Sequence, residues 1–174
     1  MRINKYHNKK VIAPDGEVFD SRLEMNRWLY LKNQHKMGNI WDLHRQVPYE
    51  LIPRQKAPNV KFLKTKTNVL DRVIERCTEY IADFTYTKHY EGPVYYIPDE
   101  PFYYFTQSGD LIPIQNVPGV SLEAPKDIMY WDGNITVVED TKGLKTPDYV
   151  IKRKLMRLVN NIRIREVKSA TEEI

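Results

Sequence analysis

Asp140 and Lys142 stand two places apart at the end of Ile135–Gly143, Ile-Thr-Val-Val-Glu-Asp-Thr-Lys-Gly. The segment reads as a short β-strand. Alternation sets Val138, Asp140 and Lys142 on one face and Val137, Glu139 and Thr141 on the other. A carboxylate and an ammonium then project side by side, suited to holding a divalent cation and steering a water beside it. Two further acids are notable by placement. Asp83 lies mid-strand in Tyr80-Ile-Ala-Asp-Phe-Thr-Tyr86, where an unpaired carboxylate is costly to bury. Glu24 shares a helical face with Trp28 and Leu31, at i, i+4 and i+7, and so points toward a core. If the two strands pair, Asp83 and Asp140 approach each other and repel unless a cation lies between them. Mg2+ prefers such oxygen ligands, with waters completing its octahedron. Lys142 would orient or deprotonate an attacking water and offset charge at a scissile phosphate. The chemistry implied is metal-assisted phosphodiester hydrolysis.

Each residue has a plainer reading. Glu24 also fits as the third helical residue of a capping box begun by Ser21. A buried arginine or backbone amides would satisfy Asp83. An Asp-x-Lys pair by itself describes many solvated strand ends. Glu139 competes with Asp140 but falls on the face away from Lys142. The histidines show no metal-ligand spacing, and Cys77 has no catalytic context.

The elements that must position these groups can be read in order. Pro14-Asp15-Gly16 is turn chemistry beside a short strand at Val18 and Phe19. Ser21 caps a helix that stops near Gly38, and Gln46–Ile52 alternates as a strand closed by Pro53. Residues 54–72 form a loop or hairpin of one charge sign, with six basic residues against Asp71 alone. The second acid's strand, Tyr80–Tyr86, should set Ile81, Asp83 and Thr85 on one face and Ala82, Phe84 and Tyr86 on the other. Residues 88–134 are rich in tyrosine and proline and read as a β-rich insertion of hairpins. Thr146-Pro147-Asp148 starts a second helix, with Ile151, Leu155, Leu158, Val159 and Ile162 as its apolar stripe. Asn160-Asn161 ends it, and a last strand lies within Ile162–Val167. The sum is one α/β domain over residues 1–174, an α/β sandwich.

At 174 residues, 41% hydrophobic and 29% charged, the chain is long enough to bury a core and is not of disordered composition. One cysteine excludes an internal disulfide and suits a reducing, intracellular setting. No apolar leader or membrane-length run occurs, and a net charge of +4 favours an anionic partner.

The order of a Glu-bearing helix, a strand, an Asp-bearing strand, a (D/E)-x-K strand, a basic helix and a strand resembles the PD-(D/E)XK, or restriction-endonuclease-like, nucleases. More narrowly, FDSRLEMNRWLYL, QVPYELI, YIADFTY and VVEDTKGLKTPDYVIKRKLM resemble a family of small proteins encoded by phages and prophages. The likeness leaves out 88–134 and part of 54–72. It implies a restriction-endonuclease-like core of helix, mixed central sheet, second helix and last strand. It implies Asp83 as first acid, Asp140 as the (D/E), Lys142 as the lysine and Glu24 as the helical acid, with the Thr141 carbonyl as an extra metal ligand. Alanine precedes Asp83 where the pattern has proline. The long 88–134 segment also departs from it, since a short hairpin often joins those strands.

The resemblance implies a Mg2+-dependent endodeoxyribonuclease (Mn2+ substituting), acting on branched or recombination intermediates in the cytoplasm of a phage's or prophage's bacterial host. Phosphate contacts are expected from Lys152, Arg153, Lys154 and Arg157 on the second helix and from Lys56, Lys61, Lys64 and Lys66 in the basic segment. A homodimer would suit a Holliday-junction-resolvase-like role. The alternatives are a nuclease-like fold that regulates by binding DNA or protein, and a nuclease active only with a phage partner docked on 88–134.

Overall fold

In the computed structural model, residues 10–96, 103–107, 109–113, 129–141 and 145–174 are described. The Pro14-Asp15-Gly16 turn, with Gly16 at φ +88°, joins β1 (Val11–Ile12) to β2 (Val18–Phe19) as a small hairpin. Helix α1 (Arg22–Lys36) begins as its sequence predicts. The Ser21 hydroxyl accepts the Glu24 N–H at 3.1 Å, and the Glu24 carboxylate turns back to accept the Asp20 N–H at 3.1 Å. Gly38, at φ +77°, carries the chain out of the helix.

Six of the described strands build one mixed sheet around a single long strand, β6 (Thr78–Tyr96). One edge of β6 pairs antiparallel with β3 (Trp41–Ile52) and then, farther along, with β7 (Tyr103–Thr106). The other edge pairs antiparallel with β9 (Met129–Thr141) in a register that sets Phe84 against Glu139. Strand β8 (Leu111–Pro113) extends the sheet beyond β7, and β10 (Arg165–Val167) runs parallel to β9. Helix α2 (Pro147–Asn160) supplies the crossover between β9 and β10. Among the described residues, strands β4 (Gln55–Phe62) and β5 (Thr67–Glu75) pair only with each other, as a separate ribbon between β3 and β6.

Successive residues of β9 show how the layers form. Val137 packs with Trp28, Leu31 and Phe84 beneath α1, whereas Val138 packs with Tyr149 and Met156 beneath α2. Neighbours on a strand point to opposite faces, so the two helices cover opposite sides of the sheet. The expected α/β layering, mixed sheet and two helices are present. A third core, around Tyr104, Ile112 and Trp131, lies where β6, β7, β8 and β9 run on past the helices.

Two expectations change. The segment from 88 onward begins inside the sheet: β6 and β9 continue into it as an antiparallel pair, from Phe84/Glu139 to Val94/Met129, with β7 and β8 between them in the chain. Residues 97–102 and 114–128 lie outside the described residues. The second change concerns α2. Ile151, Leu158 and Val159 are exposed, whereas Leu155 and Ile162 of the expected stripe pack partly buried against the core, and the buried residues of the helix are Tyr149 and Met156. Beside them, the half-buried Arg153 and Asn160 make polar contacts that apolar periodicity overlooks. Arg153 donates to Glu166 at 2.6 Å, and the Asn160 side chain donates to the Glu50 carbonyl at 3.3 Å. Asn161, at φ +52°, ends the helix in the left-handed conformation.

Candidate active site

The three acids come from three elements and lie toward one end of the β6–β9 pair, Glu24 beside Asp83 and Asp140 beside Tyr80. Glu24 is buried on the first turn of α1. Its Oε1 accepts from the Gln46 amide at 3.2 Å and lies 3.9 Å from Arg45. Burial pushes its carboxyl pKa up, and the negative charge of Asp83 pushes it further. Glu24 and Asp83 are thus electrostatic neighbours.

Asp83 is held from the next strand. Its Oδ2 accepts both the Thr141 N–H, at 2.8 Å, and the Thr141 hydroxyl, at 2.7 Å. Backbone satisfaction, the plainer reading of Asp83, is therefore real and places the carboxylate beside the end of β9. Asp140 is fully buried, and its Oδ2 accepts a hydrogen bond from the Tyr80 hydroxyl. Burial and then the charge of Asp140 raise the Tyr80 pKa far above its ordinary value, with a smaller contribution from Asp83. Tyr80 accordingly sits within the field of both aspartates. Lys142 lies outside the described residues.

The local backbone departs from regular alternation here. Arg45 pairs with Phe84 and Val47 with Ala82, and between them Gln46 faces Asp83 with φ +54°. On β6 itself, Tyr80 and Ala82 pack beneath α2, while Phe84 and Tyr86 pack beneath α1. The single-face grouping expected for Ala82, Phe84 and Tyr86 is therefore broken at Asp83. A left-handed residue inside a strand is costly for a non-glycine side chain and re-aims its neighbours. Here it lets Gln46 reach Glu24.

Glu139 takes the structural role. Arg27, buried on α1, grips it with two hydrogen bonds of 2.9 and 2.7 Å, and the Tyr86 hydroxyl adds a third at 2.6 Å. Burial works against the Arg27 charge, but the bonds and charge of Glu139 outweigh it and hold the Arg27 pKa above its ordinary value. Asp140 and Glu139 thus separate on the two faces of β9, as alternation predicts.

Sequence reasoning missed several groups around Asp140. Glu166 on β10 stands in register with Asp140 and is bound by Lys145, by Arg153 and by the Tyr149 hydroxyl at 3.0 Å. Of the α2 residues expected at phosphates, Arg153 is committed to Glu166. Arg157 is half-buried, with its guanidinium 6.0 Å from the Tyr103 ring centre. Lys152 is half-buried and Lys154 is exposed. Arg27 was legible as a basic residue on the Glu24–Trp28–Leu31 face, three residues from Glu24. Tyr80 and Gln46 carried no comparable signal.

Among the described residues, no three His, Cys, Asp or Glu side chains form a group that would hold a metal ion. The donors nevertheless fit Mg2+ in kind. They are carboxylate oxygens, Glu24 and Asp83 repel each other across the site, and Mg2+ commonly takes only one or two carboxylates plus waters. A family model described as "Protein of unknown function (DUF1064)" matches residues 3–97, more than half of the chain. The chain belongs to that family. The matched span of this DUF1064 member holds Glu24, Gln46 and Asp83 and ends before Asp140. No curated protein and no solved structure matches the chain significantly.

The repulsion has a measurable consequence. A carboxyl whose folded-state pKa is raised makes the folded state less stable when ionised, and this penalty vanishes as pH falls below the unfolded pKa. Glu24→Gln removes the charge and keeps an oxygen for the Asp20 N–H. It is expected to raise the urea midpoint at pH 7 and to leave it little changed at pH 3.5. Equal shifts at both pH values would show that charge is not the cause.

Proposed function

We propose that the protein is a Mg2+-dependent DNA endonuclease with a PD-(D/E)XK-type site and fold, hydrolysing phosphodiester bonds in branched or recombination intermediates. The observation that supports this reading is that Glu24 of α1 and Asp83 of β6 are electrostatic neighbours, and that Asp83 and Asp140 of β9 both act on Tyr80 at one end of the central strand pair. Asp83 and Asp140, with Glu24 and the Thr141 carbonyl, would hold the cation. When bound, it would polarise the scissile phosphate and lower the pKa of a water. The chain's own contributions are more local. Thr141 fixes Asp83, Tyr80 fixes Asp140, and Gln46 fixes Glu24, so each acid is oriented by a dedicated donor. Lys142, two residues beyond Asp140, supplies the cationic charge beside the reacting phosphate in this reading.

The direct test is cleavage of end-labelled duplex, single-stranded, flap and four-way-junction DNA with Mg2+, Mn2+ or EDTA. Metal-dependent cuts in a branched substrate, absent from Lys142→Ala purified in parallel, are the expected result. The rival reading is a DNA-binding regulator of the same fold, favoured by the lack of a three-acid group among the described residues. Tight DNA binding without any cleavage would select the rival.

A further inference from the structure

The β4–β5 ribbon stands apart from all three cores. Every residue of its two strands is exposed except the half-buried Ala57, including Phe62 at 82% and Val69 at 61%. A lone two-stranded hairpin is marginally stable in water. Its charge is also singular. Residues 54–76 hold seven of the chain's 27 basic and two of its 23 acidic residues, leaving twenty basic and twenty-one acidic elsewhere. The ribbon therefore carries a net charge of +5 on a body of net −1. The chain's whole basic excess is displayed on this one projecting element.

The register divides the ribbon into two unlike faces. Residues directly opposite in an antiparallel pair share a face, and the faces alternate along each strand. Val60 pairs with Val69, Phe62 with Thr67 and Lys56 with Val73, making one face largely apolar. Lys56 on that face is drawn to Asp71 at 3.5 Å. The other face carries Ala57 with Arg72, Asn59 with Leu70 and Lys61 with Asn68, and Lys66 continues it past the turn. That second face presents lysine, arginine and side-chain amides, which are the groups that bind phosphates and base edges.

We propose that the ribbon is a duplex-DNA-binding arm that lays its Lys61–Asn68–Arg72 face into the major groove. The groove of B-form DNA, about 12 Å wide, admits a two-stranded β-ribbon. Eight residues at about 3.3 Å each give a reach of about 26 Å, over half a turn of duplex. The arm follows β3 and precedes β6, the strands that carry Gln46 and Asp83, so a duplex held by it is tethered close to the candidate site. The arm rests on the nuclease reading only for the identity of the partner.

Fluorescence anisotropy with a labelled 24-base-pair duplex, in EDTA so that no cleavage occurs, separates the two. The triple variant Lys61→Gln, Lys66→Gln, Arg72→Gln is compared with Lys10→Gln, Lys36→Gln, Lys168→Gln, a matched loss of three exposed charges on the body. The ribbon variant should lose more than about tenfold in affinity at 0.1 M salt, and its slope of log K against log salt should fall by about 2–3. The body variant should change little. Guanine N7 methylation of the duplex, which alters only the major groove, should weaken the wild type and leave the ribbon variant unaffected. Equal losses in the two triple variants overturn the proposal, as does indifference to N7 methylation. A Phe62→Ser variant that turns a dimer into a monomer with DNA affinity unchanged would reassign the ribbon as an arm between copies. Failure of the cleavage test with these binding results intact would remove the nuclease reading and leave the arm.

Discussion

Replacing Arg27 with alanine should destabilise the protein by about 3–5 kcal/mol, the cost of leaving a buried carboxylate without its partner. Arg27 and Glu139 are both fully buried, and the guanidinium is bidentate on the carboxylate. The mutation also removes the donor that Arg27 gives to the Ala170 carbonyl at 3.2 Å and to the Glu172 carbonyl. It therefore cuts α1 from both the centre of the sheet and the 170–172 segment. Urea unfolding followed by tryptophan fluorescence would measure the loss. Arg27→Met combined with Glu139→Leu should recover part of it, because no uncompensated charge remains. Recovery cannot be complete, since the Tyr86 hydroxyl and the two carbonyls lose their partners. A single mutant within about 1 kcal/mol of wild type would show that water reaches Glu139 and that the pair is not a buried one.

That ion pair marks the boundary of what the sequence could convey. Both helix starts were readable because capping is local: Ser21 with Glu24, and Thr146 with Pro147, announce themselves within four residues. The burial of Glu24, Trp28 and Leu31 followed from 3.6-residue periodicity, which a first helix against a sheet obeys. The same rule holds for Leu155 and Ile162 but not for Ile151, Leu158 and Val159, because the half-buried Arg153 and Asn160 take polar partners on β10 and β3 instead. Such partners are distant in sequence. The pairing of Asp83 with the end of β9 could be posed only as a condition, and register settles it through Thr141. Gln46 was invisible for a different reason. Its left-handed backbone is a property of the assembled ladder, and glutamine has no propensity that advertises it. The reading of the 54–72 segment identified its charge but not its two faces, which exist only once Val60 is set against Val69.

Asparagine at Asp83 or at Asp140 should abolish metal-dependent cleavage while leaving the fold in place. Asparagine keeps a carbonyl oxygen where each aspartate accepts a hydrogen bond, from Thr141 in one case and Tyr80 in the other. The substitution therefore removes charge and little else. A cation worth several kcal/mol of transition-state stabilisation corresponds to at least about a thousandfold in rate, so the residual activity should fall below detection. Alanine is the less informative change at Asp83. It strands the Thr141 N–H and hydroxyl and should cost about 1–3 kcal/mol of stability, confounding loss of chemistry with loss of structure. Calorimetric titration of Mn2+ into each protein supplies the independent readout. Wild type should bind with measurable heat, both asparagine variants should bind more weakly, and the three should have urea unfolding free energies within about 1 kcal/mol of one another. Undiminished Mn2+ binding in Asp140→Asn would place the cation away from Tyr80 and leave Asp83 with Glu24 as its ligands. Undiminished binding in both would mean that the carboxylates at the end of β6 and β9 serve the sheet, and that the site lies elsewhere.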